Sequence, residues 1–238
     1  MSEDELLTSE ADLNQLSSTV IELLHLKRNS LLPPPIKIFN NSRCEQLIAV
    51  LLDNFGLFEC VYYKPRFLIT KVKALVLLNC HDPFTAGFIS TLVYAGGNIP
   101  GFNLIKFLID SGLKTRVIGD AEDASVFRET PNVTVTANDT ETYVQAIKAL
   151  NRFNFLWLHF LDFEKLYSEY KFQPPITIAQ KLITRTDSWI LTLYKQLKPN
   201  SLVLILGTHG KRMLDMGYQA HFRELRGASV PIAVFIEK

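Results

Sequence analysis

Short apolar runs alternate along the chain with segments in which apolar side chains recur every three or four residues. The runs at 46–52 (QLIAVLL), 72–78 (VKALVLL), 115–118, 155–160 (FLWLHF), 201–206 and 230–236 (VPIAVFI) predict buried strands. Residues 67–70 read as a further short strand and 133–135 as an edge strand. Helical spacing falls on about 12–28 (Leu13, Leu16, Val20, Leu23, Leu24), on the stretch opened by Thr85 (Phe88, Ile89, Leu92, Val93) and on 103–111, stopped by Gly112. It recurs over 140–150 and over about 177–197, where Leu182, Thr186, Trp189, Leu193 and Leu197 share a face. Residues 1–10 read as frayed. Apolar strands alternating with helices predict an α/β fold, with a mostly parallel central sheet between two helical layers. Residues 1–35 form an N-terminal helix and a stiff linker at Pro33, Pro34 and Pro35, and 36–238 a single α/β domain.

Composition narrows the function classes. The 238 residues are 47% hydrophobic, which fits a well-packed globular chain. Lys+Arg is 25 against Asp+Glu 24, so no strong field draws nucleic acid or an anionic membrane. The start MSEDELL is acidic, unlike a signal peptide, and no apolar run reaches membrane-spanning length, so the expected location is cytoplasmic. Cys44, Cys60 and Cys80 are odd in number and lack CxxC spacing, which fits buried thiols in a reducing compartment. Asn132-Val-Thr134 and Asn138-Asp-Thr140 match the glycosylation pattern and, without a secretory signal, are taken as chance.

Polar residues collect where the predicted strands end: Asp53, His81-Asp82, Asp120, Asp162 and Thr208-His209. In parallel sheets ligands bind outside those carboxyl ends. Thr85 stands at a strand-to-helix elbow after Asp82-Pro83, beside the free N–H groups of a helix start. That position suits a nucleophile or an anion, and it equally suits an ordinary N-cap. No Walker loop and no GxGxxG is present.

The order of these pieces resembles the alkaline phosphatase superfamily, especially its phosphodiesterase and nucleotide-pyrophosphatase branch. Such proteins have an early apolar strand ending in a metal-binding Asp, here Asp53 followed by Asn-Phe-Gly. A Thr or Ser nucleophile and an apolar helix come next, similar to Pro83-Phe84-Thr85 through Leu92-Val93 to Gly96. Gly112-Leu-Lys-Thr-Arg-Val-Ile-Gly119 matches the following landmark. The strand ending in Asp-x-x-x-His is represented by Asp162, and the strand ending in Asp-His-Gly by Thr208-His209-Gly210. A last His before a Val-Pro-apolar strand is matched by His221. The resemblance covers about 46–236.

It implies an alkaline-phosphatase-like fold and two divalent ions, zinc or manganese. One ion would keep Asp53, Thr85 and His209, and the other only Asp162 and His221. The sequence departs from the pattern at Leu166, where a His is expected, and at Thr208, where an Asp is expected. Glu164, Glu169 or His159 could substitute as ligands. Three protein ligands are a normal minimum for a catalytic zinc, so the second site is depleted. The resemblance therefore implies an alkaline-phosphatase-like domain, related to metal-dependent phosphodiesterases and phosphatases, with weak or lost hydrolysis: a pseudoenzyme. The alternatives are an active phosphoester hydrolase using Thr85 as nucleophile, or a doubly wound domain binding a phosphorylated small molecule or a protein partner.

Overall fold

A computed structural model describes residues 7–37, 43–80, 85–97, 99–127, 130–170, 174–208 and 230–238. Eight strands form one sheet in the order β1-β3-β8-β7-β2-β6-β4-β5. They are β1 (Leu7–Asp12), β2 (Gln46–Leu52), β3 (Ala74–Asn79), β4 (Thr115–Gly119), β5 (Val133–Val135), β6 (Phe155–Phe160), β7 (Ser201–Gly207) and β8 (Ile232–Glu237). The helices are α1 (Gln15–Leu23), α2 (Leu57–Tyr63), α3 (Arg66–Lys71), α4 (Thr85–Val93), α5 (Leu104–Asp110), α6 (Ala121–Val126), α7 (Asp139–Ala149), α8 (Asp162–Glu169) and α9 (Ile176–Gln196).

The central strand β2 runs parallel to β6 on one side and to β7 on the other, so Asp53, Asp162 and the chain after β7 leave the sheet at one edge. Among the described strands only β8 runs against its neighbours, pairing antiparallel with β3 and with β7. The mostly parallel three-layer α/β expectation is therefore met. Alternation along each strand divides the interior. Leu47, Ala49 and Leu51 of β2 and Phe155 and Trp157 of β6 face one helical layer, with Leu16 and Val20 of α1, Phe88 and Leu92 of α4, and Leu104 of α5. Ile48, Val50 and Leu52, with Leu156, Leu158 and Phe160, face the other layer, with Phe67 of α3, Phe163 and Tyr167 of α8, and Ile183 and Ile190 of α9. A strand buried on both faces has no polar face, which is why β2, β6 and β7 are continuous apolar runs.

Several local expectations change. Residues 7–12, read as frayed, form edge strand β1, parallel to β3 and hydrogen-bonded onward from Leu13 N–H to Asn79 O. The helix expected over 12–28 is shorter, and Leu16, Val20, Leu23 and Leu24 are buried in the common core. Residues 67–70 are helical in α3, not a strand, because the Asp187 carboxylate of α9 accepts the N–H groups of Phe67 (2.8 Å) and Leu68 (3.0 Å) that open the helix. The inward face of α9 is carried by Ala179, Ile183, Thr186, Asp187, Ile190 and Leu193, with Leu182 and Trp189 half-buried at its margin. No disulfide joins the cysteines, and burial pushes the Cys44 thiol up to about 12 and the Cys60 thiol up to about 11. Among the described residues no helix is long and apolar enough to cross a membrane.

Candidate functional site

Asp53 follows the last residue of β2 and is 3% exposed. Its parity is that of Leu47, Ala49 and Leu51, toward the layer that holds α4. Three donors converge on its Oδ1: the Thr85 hydroxyl at 2.5 Å, the Thr208 hydroxyl at 2.8 Å and the Asn54 N–H at 2.9 Å. Thr85 is the first residue of α4 and is half-buried, while Phe88, Ile89, Leu92 and Val93 anchor the helix in the core. Thr208 follows β7, is fully buried, and also accepts the Asn54 N–H at 3.1 Å. Asn54 itself adopts a left-handed backbone (φ 55°) and donates its side-chain amide to Glu164. Glu164 in turn accepts the Ser168 hydroxyl at 3.0 Å. A Thr–Asp–Thr cluster thus ties the ends of β2 and β7 to the start of α4.

Asp162 belongs to a separate network. It opens α8 and meets the Arg185 guanidinium at 2.7 Å, while Arg185 lies 4.3 Å over the Trp189 ring. Asp139 at the start of α7 accepts the N–H groups of Leu161 (2.7 Å) and Asp162 (3.0 Å). Burial raises the Asp139 carboxyl to about 6; the Leu161 N–H works against this, and the Asp162 charge adds to it. Leu166, at the position of the expected His, packs in the core beneath α8. His209 and His221, like His81 and Asp82, lie outside the described residues. The structure therefore brings Thr85 and Asp53 together and gives Asp162 an arginine partner.

A second cluster sits where β4 and β6 end. His159 Nδ1 lies 2.7 Å from Asp123 Oδ2 in α6, and both side chains are buried. Asp120 closes the group, its Oδ1 accepting the Asp123 N–H at 3.0 Å. Asp120, Asp123 and His159 can each place one ligand atom so that the three lie within 4.8 Å of one another. Burial is the largest influence on His159 and alone lowers it, but the Asp123 carboxylate, helped by the charges of Asp53 and Asp120, raises it to about 8. A cavity of about 240 Å³ adjoins, lined by Asp120, Thr136, Asn138, His159 and Lys165 among others. The Asp at the end of β4 was visible in the sequence as a strand-end residue. Asp123 carried no signal of its own, whereas His159 stood out as an imidazole inside an otherwise apolar strand and as a possible substitute ligand.

No family model and no curated protein sequence matches the chain. Among solved structures, a protein in the alkaline phosphatase superfamily from Vibrio parahaemolyticus is similar. The match has a TM-score of 0.57 and covers 96% of this chain and 70% of that one, at 10% sequence identity. At that identity the likeness is one of fold: this chain has the alkaline-phosphatase-like α/β architecture.

Proposed function

We propose that the chain is an alkaline-phosphatase-like domain in which phosphoester hydrolysis is weak or lost, and which serves as a binding module at the carboxyl edge of its sheet. The observation that carries this reading is the hydrogen bonding of Asp53. Asp53 Oδ1 already accepts from Thr85, Thr208 and Asn54, so a cation at this carboxylate would have to displace those donors or use the other oxygen. One of those donors, Thr208, stands where the resemblance calls for a carboxylate ligand, and a neutral hydroxyl supplies no charge to a metal. The second implied ion fares no better: Asp162 is neutralised by Arg185, and Leu166 offers no ligand atom. The described members of the implied metal set therefore do not fit two divalent ions, and no step of a reaction is routed through them. The expected ligand is a phosphorylated small molecule or a protein partner.

The second reading, an active hydrolase, rests on the Thr85–Asp53 contact. A half-buried hydroxyl donating to a carboxylate at 2.5 Å has the geometry of a nucleophile beside its base. The two readings separate in one assay. Turnover of chromogenic phosphodiesters and phosphomonoesters is measured, with zinc or manganese added, for wild type, Thr85→Ala and the double change Leu166→His with Thr208→Asp. We expect wild type and Thr85→Ala to be indistinguishable. Robust wild-type turnover that vanishes in Thr85→Ala would establish the hydrolase instead.

A further inference from the structure

We propose that Asp120, Asp123 and His159 form a site for a divalent ion of the zinc or manganese class, open to the cavity beside β4 and β6. The site shares no residue with the Asp53–Thr85 cluster and stands whether or not that cluster is catalytic.

Local structure builds it from three directions. β4 stops at Gly119, and the missing side chain there makes room for a carboxylate: a Cβ on Gly119 would lie 2.0 Å from Asp123 Oδ2. Asp120 starts the turn into α6, and the reciprocal contacts between Asp120 and Asp123 fix the first turn of that short helix. His159 arrives from β6 on the same face as Phe155 and Trp157, held in place by strand pairing with β2 on one side. Its ring is 4% exposed.

What points to a ligand is the polar inventory left over. His159 Nδ1 is engaged by Asp123 Oδ2, but among the described residues His159 Nε2 and Asp123 Oδ1 are both buried with no hydrogen-bond partner. Buried polar atoms are almost always partnered, so two orphans on adjacent side chains require an explanation. A structural His–Asp pair explains Nδ1 and Oδ2 and leaves the other two atoms unaccounted for. A cation held by the imidazole and the carboxylates takes up one of them: an ion on the Nδ1 side also reaches Asp123 Oδ1, and an ion on Nε2 keeps Asp123 as the partner that orients the ring. Two carboxylates and one imidazole are a donor set for zinc or manganese, whereas calcium prefers oxygen alone. Three protein ligands leave positions for water, and the cavity lined by Asp120, His159 and Lys165 provides the space. Ligand atoms now within 4.8 Å of one another would settle at about 3–3.5 Å apart, as ligand distances of about 2.0–2.2 Å require.

The test uses the full chain without a polyhistidine tag, stripped with a chelator. Zinc binding is measured by calorimetry, and cobalt is substituted for its visible absorption. The expected results are one ion bound and a loss of at least about tenfold in affinity for Asp120→Asn and Asp123→Asn. Asp162→Asn should bind as wild type. Absence of zinc binding, unchanged affinity in both variants, or a sulfur-to-cobalt charge-transfer band indicating cysteine ligands would overturn the proposal. Should either variant fail to fold, anomalous scattering from a zinc-soaked wild-type crystal decides: a peak among Asp120, Asp123 and His159 is expected, and a peak elsewhere or none refutes the site.

Discussion

Replacing Gly207 with Ala should disable the junction that holds Asp53, although it adds a single methyl group. Gly207 is the last residue of β7, paired with Leu52 of β2 and Ile232 of β8. A Cβ there would lie 1.8 Å from the backbone oxygen of Phe55, 3.0 Å from its carbonyl carbon and 3.1 Å from Ile232 Cγ1. A carbon and an oxygen need more than about 3 Å, so the Phe55 carbonyl must retreat by roughly 1 Å or more. Phe55 is buried against Phe163, with ring centroids 5.7 Å apart, so it cannot retreat alone. The displacement passes to Asn54, whose N–H is shared between Asp53 and Thr208. Overpacking costs about 1–3 kcal/mol, and each lost hydrogen bond about 1 kcal/mol. A total of about 3 kcal/mol in a chain of this size lowers the melting temperature by roughly 6–12 °C. Gly112→Ala is the contrast: at φ +86° with nothing within 4 Å, it meets only backbone strain, about 1–2 kcal/mol. Thermal unfolding by circular dichroism measures both. A Gly207→Ala midpoint within about 2 °C of wild type would refute the close-approach argument.

Two further predictions concern the other face of the sheet. Asp187→Ala strips the acceptor from the Phe67 and Leu68 N–H groups and should cost about 2 kcal/mol in denaturant unfolding, with Asp187→Asn recovering part of it; an Ala variant as stable as wild type would show that α3 does not depend on this contact. Asp139, raised by burial from 3.8 to about 6, favours its protonated form on folding, so stability from this group is full below about pH 4 and is lost as pH rises through about 6. The shift corresponds to roughly 3 kcal/mol, so Asp139→Asn should gain about that much relative to wild type between pH 4 and pH 7; an equal wild-type–variant difference at both pH values would remove the basis for this linkage.

The central strands were legible because burial on both faces leaves few polar positions: QLIAVLL, FLWLHF and SLVLILG each coincide with an observed strand or its core. β1 was missed for the converse reason. It pairs only with β3, at the sheet edge, and carries Thr8, Ser9 and Glu10, which read as a polar tail. Residues 67–70 were misread because four residues of FLIT suit a strand as well as a helix. The deciding contact comes from Asp187, some 120 positions away, and no local pattern contains it. The six-residue α6 fell below the length at which periodicity is visible, and with it went the significance of Asp123.

The same division runs through the site. Thr85 and Asp53 could be paired from their places at a helix start and a strand end, since a parallel sheet delivers both to one edge. What spacing could not supply is the state of the carboxylate. A strand-end Asp reads alike whether its oxygens face an ion or a ring of hydroxyls, and only the position of Thr208 distinguishes the cases. Because Thr208 both donates to Asp53 and accepts from Asn54, it satisfies a buried charge with neutral groups. A carboxylate substituted there alone would set two buried anions side by side, with only the Asn54 N–H shared between them. Thr208→Asp is therefore unfavourable without a cation to separate the charges. The double change Leu166→His with Thr208→Asp therefore needs metal present, and a stable Thr208→Asp protein in the absence of metal would argue that the Asp53 environment is more adaptable than its bonds to Thr85, Thr208 and Asn54 imply.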